Sequence, residues 1–377
     1  FTYKKHRVHL NLSDKTIQAV YALPNDGSNF TYASESRTYA YTSGNNIFML
    51  EDDQTKTQIT HETESGIVCG QSVHQREFGI TNGLFWSPSG KELAFYRMDE
   101  RMVAEYPLVN IDARIATAEP FHYPMAGTKS HEVTVGVFHT ETGQTVWLKT
   151  GLPKEKYLTN IAWSPDNRSV YIAEINRGQD ECNLVRYNAL TGEREAVLFT
   201  EKNKHYVEPQ VPIAFVPTKT NLFIWQSRKD GYNHVYLFDT DGNQVKQLTS
   251  GKWEVSKVLG FDPKGEQLFI TSNAPHPDSD REEGNPLEVY TWAVQLKNAK
   301  RTCVSSVPGV HHTSISASGK FAIEQYASPV IPRTIDLVRM KDKKVMKNLL
   351  TASNPYKDIV MPDVTTGTIK AADGVTD

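Results

Sequence analysis

A short turn-forming phrase recurs along this 377-residue chain, and a run of strand-forming residues follows each copy. Its clearest copies read Ser-Pro-Ser-Gly-Lys, Ser-Pro-Asp-Asn-Arg and Asp-Pro-Lys-Gly-Glu, and they begin at Ser87, Ser164 and Asp262. Pro fixes φ at the value that the second position of a type I turn needs, and Asp, Asn, Ser and Gly suit the positions around it. The β-branched and aromatic residues that follow favour a half-buried strand. Each copy therefore predicts a tight turn that leads into a β-strand.

The spacing of these copies predicts a β-propeller. Weaker copies begin at Ser34, Val216 and Ser316, and most copies lie roughly 45 to 55 residues apart, which is the period of propeller blades. A second turn follows within most repeats, as at residues 140–143, 189–192 and 239–243. Two hairpins per repeat make one four-stranded blade. We therefore predict an all-β fold of four-stranded antiparallel blades, of which six are recognisable in the sequence.

The composition fits this architecture and disfavours two classes of partner. Hydrophobic residues make up 38% of the chain and aromatic residues 10%, enough to cover the faces of stacked blades. Helix signals are nearly absent, and the one short helix that we predict covers residues 112–116 as an insertion between strands. The net charge is −3 and no block of Lys and Arg stands out, which argues against nucleic acid as the main partner. No apolar run is long enough to span a membrane.

The residues by themselves give no catalytic set, metal site or cofactor site. A Gly-Xaa-Ser-Xaa-Gly nucleophile motif and a glycine-rich phosphate loop are both absent from the sequence. His131 begins a pattern like that of zinc proteases but lacks its second histidine, and the adjacent His311 and His312 point to opposite faces of a predicted strand. The cysteines are few, odd in number and widely spaced, so we expect neither a disulfide framework nor zinc: Cys69, Cys182, Cys303.

One polar segment is a candidate binding site. Residues 73–80 place Arg76 and Glu77 beside an aromatic residue, just before the blade turn at Ser87. In one interpretation the segment is a solvated turn, whose Arg–Glu pair contributes little to stability. In the other it presents its charges to a ligand. The residues alone leave both interpretations open.

Several motifs in order give the chain a specific resemblance. Residues 74–80 read His-Gln-Arg-Glu-Phe-Gly-Ile, and 93–100 read Leu-Ala-Phe-Tyr-Arg-Met-Asp-Glu. Further matching stretches are residues 83–90, 106–109, 123–127, 227–232 and 251–255. Together they resemble the dipeptidyl peptidase IV family of serine peptidases, and the sequence variants at these motifs resemble those of Bacteroides-type bacterial members. The resemblance runs from about Tyr3 to the end of the chain.

This resemblance implies a domain organisation. The family joins an eight-bladed propeller to an α/β-hydrolase domain, with the active site in the cavity between them. Residues 1–360 would be the propeller, here incomplete because the family's first stretch would precede Phe1. Residues 361–377 would begin the hydrolase domain, whose first strand would start at Val364. The catalytic Ser, Asp and His would follow beyond the chain, so none of the three is expected here, and both ends are expected to be cut from a longer protein.

The resemblance also assigns a role to Glu77. In this family glutamates of a short propeller segment hold the free ammonium group of the peptide substrate, and a charge-assisted hydrogen bond is about twice as strong as a neutral one. Relatives often carry a Glu-Glu pair where this chain reads Arg76-Glu77. Either one carboxylate suffices, or a second comes from elsewhere, or the match is displaced by one or two residues. We also hypothesise that Arg76 keeps the Glu77 carboxylate ionised.

The implied function is removal of Xaa-Pro, or less readily Xaa-Ala, dipeptides from peptide N-termini by the full-length protein. The propeller would anchor the substrate and gate its access without catalysing the reaction itself. Its expected partners are the peptide, the hydrolase domain and a second copy in a homodimer, and its expected location is the periplasm or cell envelope. Three alternatives remain open: a related oligopeptidase without need of Glu77, a stand-alone propeller that binds protein or ligand, and a catalytically inactive relative.

Overall fold

The computed structural model describes residues 1–362 and 367–376, which consist almost entirely of antiparallel β-strands. By backbone contacts the chain divides into two compact units. The first contains residues 1–215, 220–229 and 236–246, and the second contains residues 216–219, 230–235 and 247–377. Seven sheets, here called blades 1 to 7, follow one another along the described residues. Blades 1 to 4 fall within the first unit, and blades 6 and 7 within the second.

The first three blades account for the strands up to residue 147. Blade 1 has three strands: β1 (Thr2–Tyr3), β2 (His6–Leu10) and β3 (Ile17–Ala22). Blade 2 has four: β4 (Ser28–Ala33), β5 (Thr38–Ser43), β6 (Asn46–Leu50) and β7 (Lys56–Gln58). Blade 3 has five strands, with a two-stranded ribbon (β11 and β12) inserted: β8 (Ile67–Cys69), β9 (Leu84–Trp86), β10 (Glu92–Asp99), β11 (Glu105–Asn110), β12 (Thr117–His122), β13 (Glu132–His139) and β14 (Gln144–Trp147).

The remaining four blades have four strands each. Blade 4 comprises β15 (Tyr157–Trp163), β16 (Ser169–Ile175), β17 (Glu181–Asn188) and β18 (Arg194–Lys202). Blade 5 comprises β19 (Ala214–Val216), β20 (Lys219–Ser227), β21 (His234–Asp239) and β22 (Gln244–Gln247). Blade 6 comprises β23 (Val255–Phe261), β24 (Gln267–Ser272), β25 (Tyr290–Gln295) and β26 (Arg301–Cys303). Blade 7 comprises β27 (Val310–Ile315), β28 (Phe321–Ala327), β29 (Thr334–Arg339) and β30 (Lys344–Thr351).

The recurring phrase forms the turns predicted for it. In blade 4 the phrase beginning at Ser164 joins β15 to β16, and the Ser164 hydroxyl donates to Asp166 Oδ1 at 2.6 Å. The same hydroxyl oxygen accepts the backbone N–H of Ser169 at 2.9 Å, where β16 begins. These bonds occupy polar groups that the ladder leaves unpaired at the turn. The prediction of an all-β propeller of four-stranded blades is therefore confirmed, with seven blades described where six were recognised.

Apolar faces of neighbouring blades form the core of the first unit. Between blades 3 and 4 the cluster includes Tyr96, Val135, Ile172 and Tyr187, all at most 1% exposed. Burying a side chain of this size contributes about 1.5–3 kcal/mol to stability. Strand β16 is buried along nearly its whole length, which fits its run of Val, Tyr, Ile and Ala. The core therefore fixes the positions of the strand ends from which the loops depart.

The short helix predicted at residues 112–116 is wrong. These residues form the turn at the tip of the ribbon between β11 and β12. The Asn110 side chain accepts the backbone N–H groups of Asp112 at 3.0 Å and Ala113 at 3.2 Å, which favours a turn over a helix. Ile111 and Ile115 are 89% and 81% exposed, so no packing face stabilises a helix there.

The histidine pair, the cysteines and the C-terminal segment can also be compared with the sequence predictions. In β27, His311 is buried and His312 is exposed, as the predicted alternation requires. The three cysteines are buried and unpaired. Val364, where the hydrolase strand was expected to begin, lies outside the described residues, and residues 367–376 form no strand. The boundary at residue 360 therefore stays a prediction. No helix in the described part of the chain has the length and apolar character needed to cross a membrane.

Candidate functional site

The polar segment singled out in the sequence lies between β8 and β9, where His74–Gly79 form an irregular 3-10 turn. Most of its residues have left-handed backbone conformations, which cost free energy in any residue except glycine. Their φ angles are 54° at His74, 52° at Gln75, 65° at Arg76, 56° at Phe78 and 72° at Gly79. Such a segment persists only where the surrounding structure holds it in place. Glu77, with φ of −60°, lies within it.

Buried contacts to blade 4 hold the segment. The rings of His74 and Phe78 pack against Tyr157 of β15, with centroid separations of 4.9 Å and 5.0 Å. On the far side, a Cβ at Gly79 would lie only 2.0 Å from the carbonyl oxygen of Gln210. The close approach and the positive φ both require glycine there. The exposed residues 75–77 thus lie between a packed residue on one side, His74, and two on the other, Phe78 and Gly79.

A buried pair of histidines adds a hydrogen-bonded anchor. The backbone N–H of Leu158 donates to His74 Nε2 at 3.2 Å, so His74 must carry its proton on Nδ1. That Nδ1–H donates to His131 Nε2 at 2.8 Å. Burial, helped by the charge of Arg177, lowers the pKa of His131 to about 4, and burial also holds the pKa of His74 well below its ordinary value. Both rings are therefore neutral at physiological pH.

The polar side chains of the segment point into solvent above this anchor. Gln75, Arg76 and Glu77 are exposed, whereas His74 and Phe78 are buried. Gln179 Nε2 donates to Glu77 Oε2 at 3.1 Å and to the Tyr157 hydroxyl oxygen at 3.1 Å. One amide thus orients the Glu77 carboxylate relative to a buried tyrosine. The carboxylate retains acceptor capacity for a cationic ligand.

Gln179 is itself fixed by the turn between β16 and β17. The Asn176 side chain donates to Asp180 Oδ1 at 2.6 Å and accepts the backbone N–H of Glu181 at 3.1 Å. The carbonyl oxygen of Gln179 accepts the N–H of Val207 at 2.7 Å, and Gln179 has a φ of 59°. The amide that contacts Glu77 therefore extends from a closed, hydrogen-bonded turn.

A positive charge lies beside the same tyrosine. Arg177 Nη1 donates to the Tyr157 hydroxyl oxygen at 3.3 Å, and the side chain is half-buried. The structure thus brings together Glu77, Gln179, Tyr157 and Arg177. Sequence reasoning identified only Glu77 of these four. The others belong to the following repeat, and the one sequence signal for them is the polar hairpin turn at residues 176–180.

The structure gives Arg76 no close partner. Its side chain makes no hydrogen bond or ion pair with Glu77 or any other described residue, and it is exposed. The proposed effect of Arg76 on Glu77 therefore stays a prediction. Within residues 1–362 and 367–376, no group of three or more His, Cys, Asp or Glu side chains is arranged to hold a metal ion.

The fold and the site define a propeller domain with an exposed carboxylate, Glu77, that Gln179 orients at the surface of the first compact unit. Residues 2–333 match the family model described as the dipeptidyl peptidase IV N-terminal region, and the chain belongs to this family.

Three relatives illustrate the similarity. Dipeptidyl peptidase 4 of Arthroderma otae is 26% identical over 358 residues, which cover 89% of this chain and 44% of the relative. A candidate dipeptidyl aminopeptidase IV from Bacteroides ovatus has a crystal structure that matches all of this chain with a TM-score of 0.88 and 41% identity. The crystal structure of dipeptidyl peptidase 4 from Porphyromonas gingivalis matches 88% of the chain with a TM-score of 0.77 and 26% identity.

The chain spans about half the length of these relatives. It covers 44% of the Arthroderma protein, 54% of the Bacteroides protein and 47% of the Porphyromonas protein. It matches the N-terminal propeller region of dipeptidyl peptidase IV-like peptidases, and the relatives contain a further region beyond the match.

Proposed function

We propose that this chain is the non-catalytic propeller of a dipeptidyl peptidase IV-type serine exopeptidase, and that Glu77 binds the free N-terminal ammonium group of the peptide substrate. The observation that carries the proposal is the exposed Glu77 carboxylate, which accepts a hydrogen bond from Gln179. Its segment is held by the packing of His74 and Phe78 against Tyr157. An ammonium group taken out of water needs such an acceptor, and a hydrogen bond between charged groups is stronger than one between neutral groups.

The full-length protein would remove Xaa-Pro or Xaa-Ala dipeptides. In this proposal an α/β-hydrolase domain supplies Ser, His and Asp. The serine oxygen attacks the carbonyl carbon while the histidine takes the proton of the serine hydroxyl. The histidine then gives this proton to the leaving amine, and water hydrolyses the acyl-enzyme. With the amine held at Glu77, the peptide bond after the second residue is the one that reaches the serine. Residues 1–360 form the propeller and residues 361–377 begin the hydrolase domain. We further propose a homodimer in the periplasm or cell envelope.

The test uses the purified full-length protein and a Gly-Pro reporter amide. We expect Glu77→Gln to lower kcat/KM roughly 10- to 100-fold, because a hydrogen bond to a charged group contributes about 1.5–3 kcal/mol. Glu35→Gln, in the exposed turn between β4 and β5, is the matched control and should retain full activity. An N-acetylated substrate, which lacks the ammonium group, should be cleaved equally poorly by wild type and Glu77→Gln.

Two results would change the interpretation. Equal kcat/KM for wild type and Glu77→Gln on the free-amine substrate would leave the peptidase intact and remove Glu77 from the anchor. No hydrolysis by the full-length wild type would favour a stand-alone binding propeller or an inactive relative.

A further inference from the structure

Arg177 carries a charge that the described residues leave without a counterion. Its guanidinium has five N–H donors, and the one hydrogen bond found for it goes to the Tyr157 hydroxyl oxygen at 3.3 Å. No carboxylate of the described residues forms an ion pair with it. A half-buried charge with most of its donors unused is uncommon, since burial without a partner costs free energy. The arginine is thus available to an acceptor from outside the chain.

The position of Arg177 relative to Glu77 is fixed by shared contacts. Gln179 donates to both Glu77 Oε2 and the Tyr157 hydroxyl oxygen, at 3.1 Å each, and Arg177 donates to the same tyrosine oxygen. Two intervening side chains thus separate the carboxylate from the guanidinium. A ligand whose ammonium group is held at Glu77 therefore meets Arg177 as a second charged group of the same hydrogen-bonded network.

The neighbouring charges do not neutralise this arginine. The Asp180 carboxylate, in the same turn, accepts from Asn176 at 2.6 Å and forms no ion pair with Arg177. The buried pair of His74 and His131 is neutral, and the positive charge of Arg177 contributes to the lowered pKa of both rings. The positive charge of Arg177 therefore stays unneutralised beside the Tyr157 hydroxyl, to which Gln179 also donates while it holds Glu77.

We propose that Arg177 is a specificity-determining residue that binds the side-chain carboxylate of an acidic first residue of the peptide; the inference rests on the proposed function of Glu77. A guanidinium matches a carboxylate with two parallel hydrogen bonds, which a neutral amide of the same shape cannot equal. The first residue of such a substrate carries both charges, with its ammonium group at Glu77 and its carboxylate at Arg177. Arg177 also offsets the repulsion between Glu77 and that acidic side chain.

The experiment compares two isosteric substrates on the full-length protein, Glu-Pro and Gln-Pro reporter amides. Wild type should show a higher kcat/KM for Glu-Pro than for Gln-Pro. Arg177→Gln should lower that ratio roughly tenfold or more, the scale of a hydrogen bond between charged groups, because the loss falls more heavily on Glu-Pro than on Gln-Pro. Arg177→Lys keeps the charge but loses the planar guanidinium that forms two parallel hydrogen bonds. Its ratio should therefore lie between those of Arg177→Gln and wild type.

Arg168→Gln is the matched control. Arg168 lies exposed in the turn at the opposite end of β16, so its removal changes the net charge equally and should leave the ratio unchanged. A merely structural role of Arg177 would lower kcat/KM for both substrates together, and an unaltered ratio in Arg177→Gln overturns the inference while the peptidase proposal stands. A wild type that hydrolyses neither substrate, nor Gly-Pro, overturns both proposals.

Discussion

At the scale of single residues, the buried histidine pair couples the site to pH. His74 accepts from Leu158 and donates to His131, so an added proton would place two N–H groups face to face. The pair therefore cannot take up a proton without losing a hydrogen bond. This agrees with the lowered pKa values of both rings. The left-handed segment above the pair depends on these bonds for its position.

This coupling predicts acid sensitivity with a defined sign. The pKa of His131 is about 4 in the folded protein, against about 6.5 for an unfolded chain, so the unfolded state binds more protons below pH 6.5. The free energy of unfolding should thus fall as the pH drops from about 6.5 to about 4. Urea unfolding across this range should show a shallower fall for His131→Gln than for wild type. The exposed His205→Gln is the control, and an identical slope in His131→Gln would contradict the assignment.

The site residues also show how far sequence reasoning reaches at this scale. Glu77 was found because its neighbours along the chain form one contiguous motif. Gln179 is 102 residues away from Glu77, in another blade, and contacts it only because blades 3 and 4 pack together. Tyr157 and Arg177 also belong to blade 4, and the same packing brings them to the site. A polar residue in a hairpin turn has many possible partners, and only the packed structure selects one.

At the scale of secondary-structure elements, local turn chemistry was a reliable guide where the packing agreed with it. The phrases at Ser87, Ser164, Asp262 and Ser316 all form turns between paired strands. The helix at 112–116 failed because five residues without a packing partner cannot offset the cost of helix nucleation. The irregular geometry of the 74–79 segment could not be predicted, because its backbone strain is stabilised by tertiary contacts and not by local propensity.

That strain makes Gly79 a strong test of the segment. Gly79→Ala adds a Cβ to a residue with φ of 72° and only 2.0 Å from the Gln210 carbonyl oxygen. Gly143→Ala is a matched control, because its φ is 68° but nothing lies within 4 Å of the added atom. We expect Gly143→Ala to cost about 1 kcal/mol of unfolding free energy and Gly79→Ala distinctly more. Urea unfolding of both variants measures the difference, and equal losses would refute the close approach.

At the scale of the whole molecule, the repeat period predicted the architecture because each blade is one supersecondary unit with its own turn signals. The blade that escaped notice is blade 1. Its turn between β2 and β3 contains no proline, and the side chains of Asn11 and Asp14 accept the backbone N–H groups of Ser13 and Thr16 at 2.9 Å each. The fold class thus followed from the sequence repeats, whereas the number of blades could be counted only in the structure.

The domain boundary proposed at residue 360 predicts how truncation of the chain changes its unfolding temperature. Residues 353–362 are exposed, and their hydrogen bonds join residues two or three positions apart, whereas β30 pairs with β29 along Lys344–Thr351. A chain ending at residue 360 should therefore unfold at the same temperature as the 377-residue chain. A chain ending at residue 343 should unfold at a lower temperature, because β29 loses its ladder partner and becomes an unpaired edge. Calorimetry of the three chains separates these cases. A lower unfolding temperature for the chain ending at 360 would instead assign residues 361–377 to the propeller.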